Sequence, residues 1–197
     1  GVIDSKRQAE YVRPIAFGLL NDSESQAAAN RLEELIAQND DHLNTGFLST
    51  PYLCRVLTDH GHTDTAYRLL LQDTVPSWLY PVKHGATTIW ESWDGVREDG
   101  TVHDSLNHYS YGAISGWLMG DVCGIRLTEG KLTIAPKPSK KLSFAEAKWL
   151  SPVGTIESKW RYMGNRIEFE VMSPTNVTAE ICLPGGSTFR VKSGNHV

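Results

Sequence analysis

The sequence is short of cysteine, of long apolar runs and of nucleotide-binding or nucleophile motifs. Its three cysteines, Cys54, Cys123 and Cys182, stand far apart with no C-x-x-C pair. That argues against a disulfide framework and a thiolate zinc site, and buried free thiols are expected. No stretch of about 18 apolar residues occurs, so no membrane-spanning helix is expected. G-x-S-x-G, a Gly-rich phosphate loop and a Cys/His nucleophile pair are all missing. The start, Gly1-Val2-Ile3-Asp4, has no basic segment followed by an apolar core and does not resemble a signal peptide. It also has no Met, so an excised piece of a longer chain is expected. The N-x-[ST] matches at Asn21 and Asn176 lack a secretory context that would give them meaning.

What is present is a well-mixed composition. The 197 residues are 40% hydrophobic and 21% charged, net −4, too apolar for a disordered tail. The charge is unevenly placed. Residues 1–122 hold 17 acids and 8 bases, net −9; residues 123–197 hold 6 acids and 11 bases, net +5. Six of the seven histidines and four of the six tryptophans fall in the first part. Two units with different jobs are expected, the acidic one holding the chemistry. The basic residues of the second part form no stripe on an identifiable motif, so no nucleic-acid partner is expected.

Hydrophobic spacing divides the chain in the same place. Residues 4–20 predict a helix bent at Pro14, which lacks a backbone donor. Asn21-Asp22-Ser23 before Gln26 looks like a capping box, and Ala28, Leu32, Leu35 and Ile36 follow at helical spacing. Thr50-Pro51 launches a helix over 51–60 and Gly61 stops it; His60-Gly61-His62 is a helix stop and start. Residues 63–72 and 106–121 predict two more helices, the last carrying Tyr109, Ala113, Ile114 and Trp117. Paired helices with short turns point to an array of αα-hairpins. After Gly124 the period becomes 2, in Leu132/Ile134, Ile156/Ser158/Trp160, Ile167/Phe169/Val171 and Ala179/Ile181. Gly164-Asn165 fits a two-residue hairpin turn. Six or seven antiparallel strands forming a small β-sandwich are expected over 124–197, after a helical domain over 1–123.

The long connection 74–108 is rich in both rings and ionisable groups: Trp78, Tyr80, His84, Trp90-Glu91-Ser92-Trp93-Asp94, Glu98, Asp99, His103, Asp104 and Asn107-His108-Tyr109. Functional loops on a rigid scaffold have this mixture. Flat rings pack on the C–H face of a sugar, while carboxylates and imidazoles bond its hydroxyls. A carboxylate beside tryptophan rings loses solvation and becomes a better base. Each piece also has a plainer explanation: Trp90 and Trp93 as core, Glu91 as a solvated or paired carboxylate, His108 as a packing histidine. A metal held by His103, Asp104, His108 and His84 is not expected, because spacing i, i+5 does not put two imidazoles on one helical face.

Several runs in this region resemble one family. They are Thr45-Gly46-Phe47-Leu48-Ser49-Thr50-Pro51-Tyr52-Leu53, Ala66-Tyr67-Arg68-Leu69-Leu70, Pro76-Ser77-Trp78-Leu79-Tyr80, Gly85-Ala86-Thr87-Thr88-Ile89-Trp90-Glu91-Ser92-Trp93 and Ser105-Leu106-Asn107-His108-Tyr109-Ser110-Tyr111-Gly112-Ala113. In this order they resemble the helical catalytic domain of bacterial α-L-rhamnosidases of glycoside hydrolase family 78. The resemblance covers most of residues 40–125, and the following strands are similar in kind to that family's C-terminal β-sandwich.

The resemblance implies an (α/α)6 barrel, hydrolysis of terminal α-L-rhamnose with inversion, and no cofactor. Carried over by motif, Glu91 is the general base that activates water, His108 a sugar-binding histidine, and Trp90 and Trp93 walls of the pocket. Residues 94–105 look shorter than in many relatives, which puts a lid there in doubt. Six helical hairpins need about 300 residues at ordinary lengths, more than this chain supplies. Inversion also needs an acid about 6.5–9.5 Å from the base, and in the family that acid lies upstream of every motif here. The expectation is therefore the C-terminal portion of a rhamnosidase: a partial barrel that carries the base, lacks the acid and is inactive alone. Its expected partners are a rhamnose-containing glycoside and, through an apolar face at Leu32, Leu35 and Ile36, further copies of itself. The alternatives are a non-catalytic carbohydrate-binding or scaffold module and a metal-dependent enzyme.

Overall fold

In the computed structural model, which describes residues 3–197, short amphipathic helices fill the first part of the chain and short strands the last. Two compact units divide between Ile114 and Ser115.

The first unit is built from α1 (Ala9–Ala16), α2 (Asp22–Ala37), α3 (Thr50–Asp59), α4 (Thr63–Leu71) and α5 (Leu79–Lys83). Helix α1 packs on α2 and α3, and α3 packs on α4. Its core holds Tyr11, Val12, Leu32, Ile36, Leu53, Leu57, Tyr67 and Leu69. Burying a side chain of this size contributes about 1.5–3 kcal/mol, so the interlocking faces, more than helix propensity, hold these short helices.

Four expectations need correction. Helix α1 is shorter than 4–20 at both ends. Tyr11 Oη instead engages the backbone of Ser5, and the chain leaves the helix soon after Pro14. The partner in the capping box is Glu24 rather than Gln26. Asn21 Oδ1 accepts the Glu24 N–H at 2.9 Å and Glu24 Oε2 accepts the Asn21 N–H at 3.2 Å, since the third helical position after an Asn21 cap is residue 24. Gln26 reaches Asn30 and the His60 carbonyl instead. Leu32, Leu35 and Ile36 do not form an exposed apolar face; all three are buried inside the unit, and the open apolar side chains include Phe17, Leu19 and Leu48. The last helix does not begin at 106. A 3₁₀ turn spans Ser110–Ala113, α6 spans Ile114–Trp117 and a wider π-turn spans Leu118–Val122. The preceding residues cannot be helical because their backbone bonds to segment 88–91.

The second unit holds two four-stranded sheets among the described residues. One has the order β1 (Ile125–Thr128), β2 (Lys131–Ile134), β6 (Ala179–Cys182), β7 (Thr188–Val191); the other runs β3 (Phe144–Ser151), β4 (Gly154–Met163), β5 (Arg166–Ser173), β8 (Gly194–His196). Eight strands thus replace the six or seven expected. Pairing is antiparallel throughout except between β2 and β6, which run parallel. Period-2 alternation is plain in β4, where Ile156, Ser158 and Trp160 point inward. Gly164-Asn165 joins β4 to β5 as a two-residue turn. Trp160 is fully buried and its indole N–H donates to the Val122 carbonyl at 2.8 Å, while the Ser158 hydroxyl donates to the Cys123 carbonyl at 2.6 Å. Both bonds satisfy polar groups that burial would otherwise penalise. All three cysteines are free, and burial pushes the Cys123 thiol up to about 11, which keeps it unreactive.

Candidate active site

After α5 the chain has no helix until the 3₁₀ turn at Ser110, yet it is held by backbone pairing. The His108 N–H donates to the Ile89 carbonyl at 2.8 Å and the Glu91 N–H to the Ser105 carbonyl at 2.9 Å. The Thr88 hydroxyl closes on the Leu106 carbonyl. Segments 88–92 and 105–108 therefore run side by side, and residues 94–104 form a hairpin between them, with Val96 bridging Val102 and the Arg97 N–H bonded to the Thr101 carbonyl at 2.9 Å.

This pairing places Glu91. Its Oε2 accepts the Ser105 N–H at 3.0 Å while its own N–H donates to Ser105. The carboxylate is thus fixed from both ends of one residue and remains partly open to solvent. On the neighbouring segment, His108 Nδ1 accepts the Ser110 N–H at 3.2 Å. An Nδ1 that accepts carries no proton, which leaves Nε2 as the ring donor for a ligand oxygen. The imidazole stacks on Phe47 (centroids 4.8 Å apart) and on Tyr109 (5.0 Å).

Aromatic rings form the wall beside it. Trp93 stacks flat on Tyr111 with centroids 3.8 Å apart and meets Trp78 edge-on at 5.4 Å. The Trp78 indole N–H donates to the Tyr111 carbonyl at 3.0 Å, which pins the cluster to the 3₁₀ turn. Tyr111 also touches Phe47, so one phenol joins the rings around Trp93 to those around His108. Its pKa is raised, first by burial and then by the negative charge of Glu91, so Tyr111 stays a neutral hydrogen-bonding phenol at any physiological pH.

A pocket of about 280 Å³ opens on this cluster, lined by Trp78, Val82, Ile89, Trp90, Trp93 and Tyr111 among others. That size approaches the lower limit of ordinary ligand sites, about 300 Å³. Trp90 and Trp93 line it; Glu91 and His108 lie outside its lining. The sequence placed all four on one segment, and the structure arranges them as two groups, the paired segments and the ring-lined pocket. Sequence reasoning missed Ser105 and Phe47 as supports. Phe47 sits 61 positions before His108, and nothing local marks it as that ring's stacking partner.

His84 takes no part: its Nδ1 meets the Tyr80 carbonyl at 2.9 Å and its ring lies against Tyr80, closing α5. His103 and Asp104 bond each other, and among the described residues no group of three or more His, Cys, Asp or Glu side chains is placed to hold a metal. No described helix is long and apolar enough to cross a membrane.

Helical hairpins here carry a loop with a held carboxylate, a histidine whose Nδ1 is engaged and a ring-lined pocket. Comparison with known proteins identifies the family. The family described as bacterial alpha-L-rhamnosidase 6 hairpin glycosidase domain matches residues 1–122, and the bacterial alpha-L-rhamnosidase C-terminal domain matches residues 130–197. The chain belongs to this bacterial α-L-rhamnosidase family. It is 39% identical to an alpha-L-rhamnosidase of Streptomyces avermitilis over 98% of this chain and 19% of that protein, and 38% identical to one of Formosa agariphila over 95% of this chain and 21% of that protein. Among solved structures, the Streptomyces avermitilis alpha-L-rhamnosidase complexed with L-rhamnose superposes with a TM-score of 0.92 at 37% identity, covering 99% of this chain and 22% of that one. The native enzyme from Aspergillus terreus superposes with a TM-score of 0.91 at 34% identity, covering 98% and 24%. The chain spans about a fifth of the length of the relatives it matches.

Proposed function

We propose that this chain supplies the base-bearing wall of an inverting glycosidase that releases terminal α-L-rhamnose. One observation carries the reading most: Glu91 is bonded reciprocally to Ser105 on paired segments that also hold His108, whose Nδ1 accepts the Ser110 N–H. A general base must be fixed within reach of a water, and a carboxylate held by one N–H keeps a second oxygen for that water. In this reading Glu91 takes a proton from the attacking water, His108 donates Nε2–H to a sugar hydroxyl, and Trp90 and Trp93 wall the ring. The complementary acid comes from sequence upstream of these motifs, and inversion requires the two carboxyl groups about 6.5–9.5 Å apart. The helical part of the catalytic domain runs to residue 123 and the β-sandwich from 124. The substrate is a rhamnose-containing glycoside, with no nucleic acid and no membrane as partner.

The isolated chain is expected to show no turnover of an aryl α-L-rhamnoside, because half of the acid–base pair is missing. Glu91-dependent turnover by the purified chain would falsify the half-site reading. A second reading, a non-catalytic sugar-binding module, is favoured by the ring-lined pocket whose wall excludes Glu91. Calorimetric titration with L-rhamnose separates the two. Binding lost in His108→Ala supports the half-site on the paired segments; binding that survives His108→Ala and is lost in Trp93→Ala supports the separate pocket.

Self-association belongs to the same proposal. Phe17 and Leu19 are 57% and 73% exposed and Leu48 is 72% exposed, and apolar side chains left open in the turns beside α1 and α3 favour contact with another copy. Light scattering at rising concentration is expected to show more than a monomer, and a clean monomer at high concentration removes this part.

A further inference from the structure

Both ring nitrogens of His103 face acceptors. Nδ1 lies 2.9 Å from Asp104 Oδ2; Nε2 lies 2.9 Å from the Asp94 carbonyl and 3.2 Å from Asp94 Oδ1. Neutral imidazole has one N–H and can donate to one side only, whereas imidazolium donates to both. The network then continues toward Glu91 by two routes. The Ser92 hydroxyl, next to Glu91, donates to the same Asp104 Oδ2 at 2.5 Å. Ser105, next to Asp104, gives the N–H that holds Glu91 Oε2. The His103 N–H adds a backbone bond to the Gly95 carbonyl at 3.0 Å.

Resting on the reading of Glu91 as the base, we propose that His103 is its positioning residue: the imidazolium bridges Asp94 and Asp104 across the 94–104 hairpin and so fixes Ser92, the chain neighbour of Glu91, and Ser105, whose N–H holds the Glu91 carboxylate. Asp104 sits in the left-handed region at φ 57°, a conformation that needs local support in a non-glycine residue, and the two bonds to its carboxylate provide it. The charged groups around the ring are Asp104, Asp94 and Arg97, the last paired with Asp94 Oδ2 at 3.5 Å.

The bridge has a defined pH window. The His103 pKa is raised, chiefly by the Asp104 hydrogen bond, with Asp94 adding to it and partial burial and Arg97 opposing. The Asp104 carboxyl is lowered, first by the Ser92 hydroxyl and then by His103. A raised histidine pKa contributes stability that is complete below about pH 6.5 and is lost as pH rises through the raised value. A lowered carboxyl fails only at the acid end, below about pH 3.9. The bridge is whole between those limits and opens on the alkaline side.

Hydrogen exchange on the 197-residue chain from pH 5 to pH 8.5 tests this. After correction for intrinsic rates, protection of the Glu91 and Ser105 amides should fall about fivefold or more across the His103 titration, as expected for one lost hydrogen bond, while the Leu57 amide is unchanged. His103→Gln, which cannot titrate, should give low protection at every pH. Flat protection in the natural chain overturns the bridge, as does an unchanged titration in the variant. The second readout is catalytic and needs the missing acid. With this chain fused behind the upstream part of the Streptomyces avermitilis relative, His103→Gln should lower kcat severalfold and leave KM unchanged. It should also flatten the alkaline limb of the kcat profile. Unchanged kcat overturns positioning even where exchange supports the bridge. If Glu91→Gln in the same fusion leaves kcat intact, the base assignment fails instead, a distinct result.

Discussion

Glu91→Gln, placed in a fusion of this chain behind the upstream four-fifths of the Streptomyces avermitilis relative, should lower kcat by about 10³-fold with KM nearly unchanged. General acid–base catalysis typically contributes about 10²–10⁴, and a thousandfold loss is about 4 kcal/mol of transition-state stabilisation. Glutamine is the informative replacement because its amide oxygen can still accept the Ser105 N–H that the carboxylate accepts at 3.0 Å. The paired segments, the pocket and ground-state binding therefore persist, and only the capacity to take a proton disappears. A base acts in the transition state and contributes little to holding substrate, so the loss falls on kcat. Azide, already an anion, needs no base to attack and should restore part of the turnover, with the product configuration inverted. His108→Ala should behave differently. A lost bond to a sugar hydroxyl raises KM, since that bond already exists in the ground state, and lowers kcat only by as much as the bond strengthens in the transition state. A Glu91→Gln fusion turning over within threefold of its parent would remove Glu91 from the mechanism.

How far the site could be read in advance depended on whether its parts are local. Trp90, Glu91 and Trp93 stand within four residues, so composition alone marked the segment. The capping of α2 by Asn21 and the Gly164-Asn165 turn are equally local signals, and both elements lie where periodicity puts them, with the cap partner displaced to Glu24. Long-range pairing left no such trace. Residues 105–109 have a helical pattern of apolar spacing, but their donors are spent on Ile89 and on holding Glu91, which delays the helix to residue 114. The parallel pairing of β2 with β6 joins Leu132 to Ala179, 47 positions apart, and strand alternation has no term for partner or direction. The apolar face at Leu32, Leu35 and Ile36 was misjudged for a related reason. Periodicity identifies a face that must be covered; which neighbour covers it is a tertiary fact, and here α1 and α3 do so within the unit.

Gly124→Ala should be the most damaging single substitution in the second unit, destabilising it by more than about 4 kcal/mol, the range reserved for a few named mechanisms. Gly124 has φ 76°, and a Cβ built there would lie 2.2 Å from Pro136 N and 2.3 Å from the Ala135 carbonyl carbon. Both are backbone atoms, so no side chain can swing aside. Nor can the backbone yield cheaply: the Gly124 carbonyl accepts the Ala135 N–H at 2.9 Å, and the next residue, Ile125, is already in register with Ile134. Moving either strand enough to admit a methyl group breaks the β1–β2 ladder at its root. Gly164→Ala is the matched control. Its φ of 63° carries a similar left-handed strain, yet nothing lies within 4 Å of the added Cβ, so only the conformational cost of about 1–2 kcal/mol applies. Urea unfolding followed by near-ultraviolet circular dichroism, which senses the buried Trp160, should show a small shift in midpoint for Gly164→Ala. For Gly124→Ala the second-unit transition should be displaced to near-zero urea or absent. Equal losses in the two variants would mean that backbone strain alone governs Gly124 and that the approach of residues 135–136 is looser than the 2.2 Å contact implies.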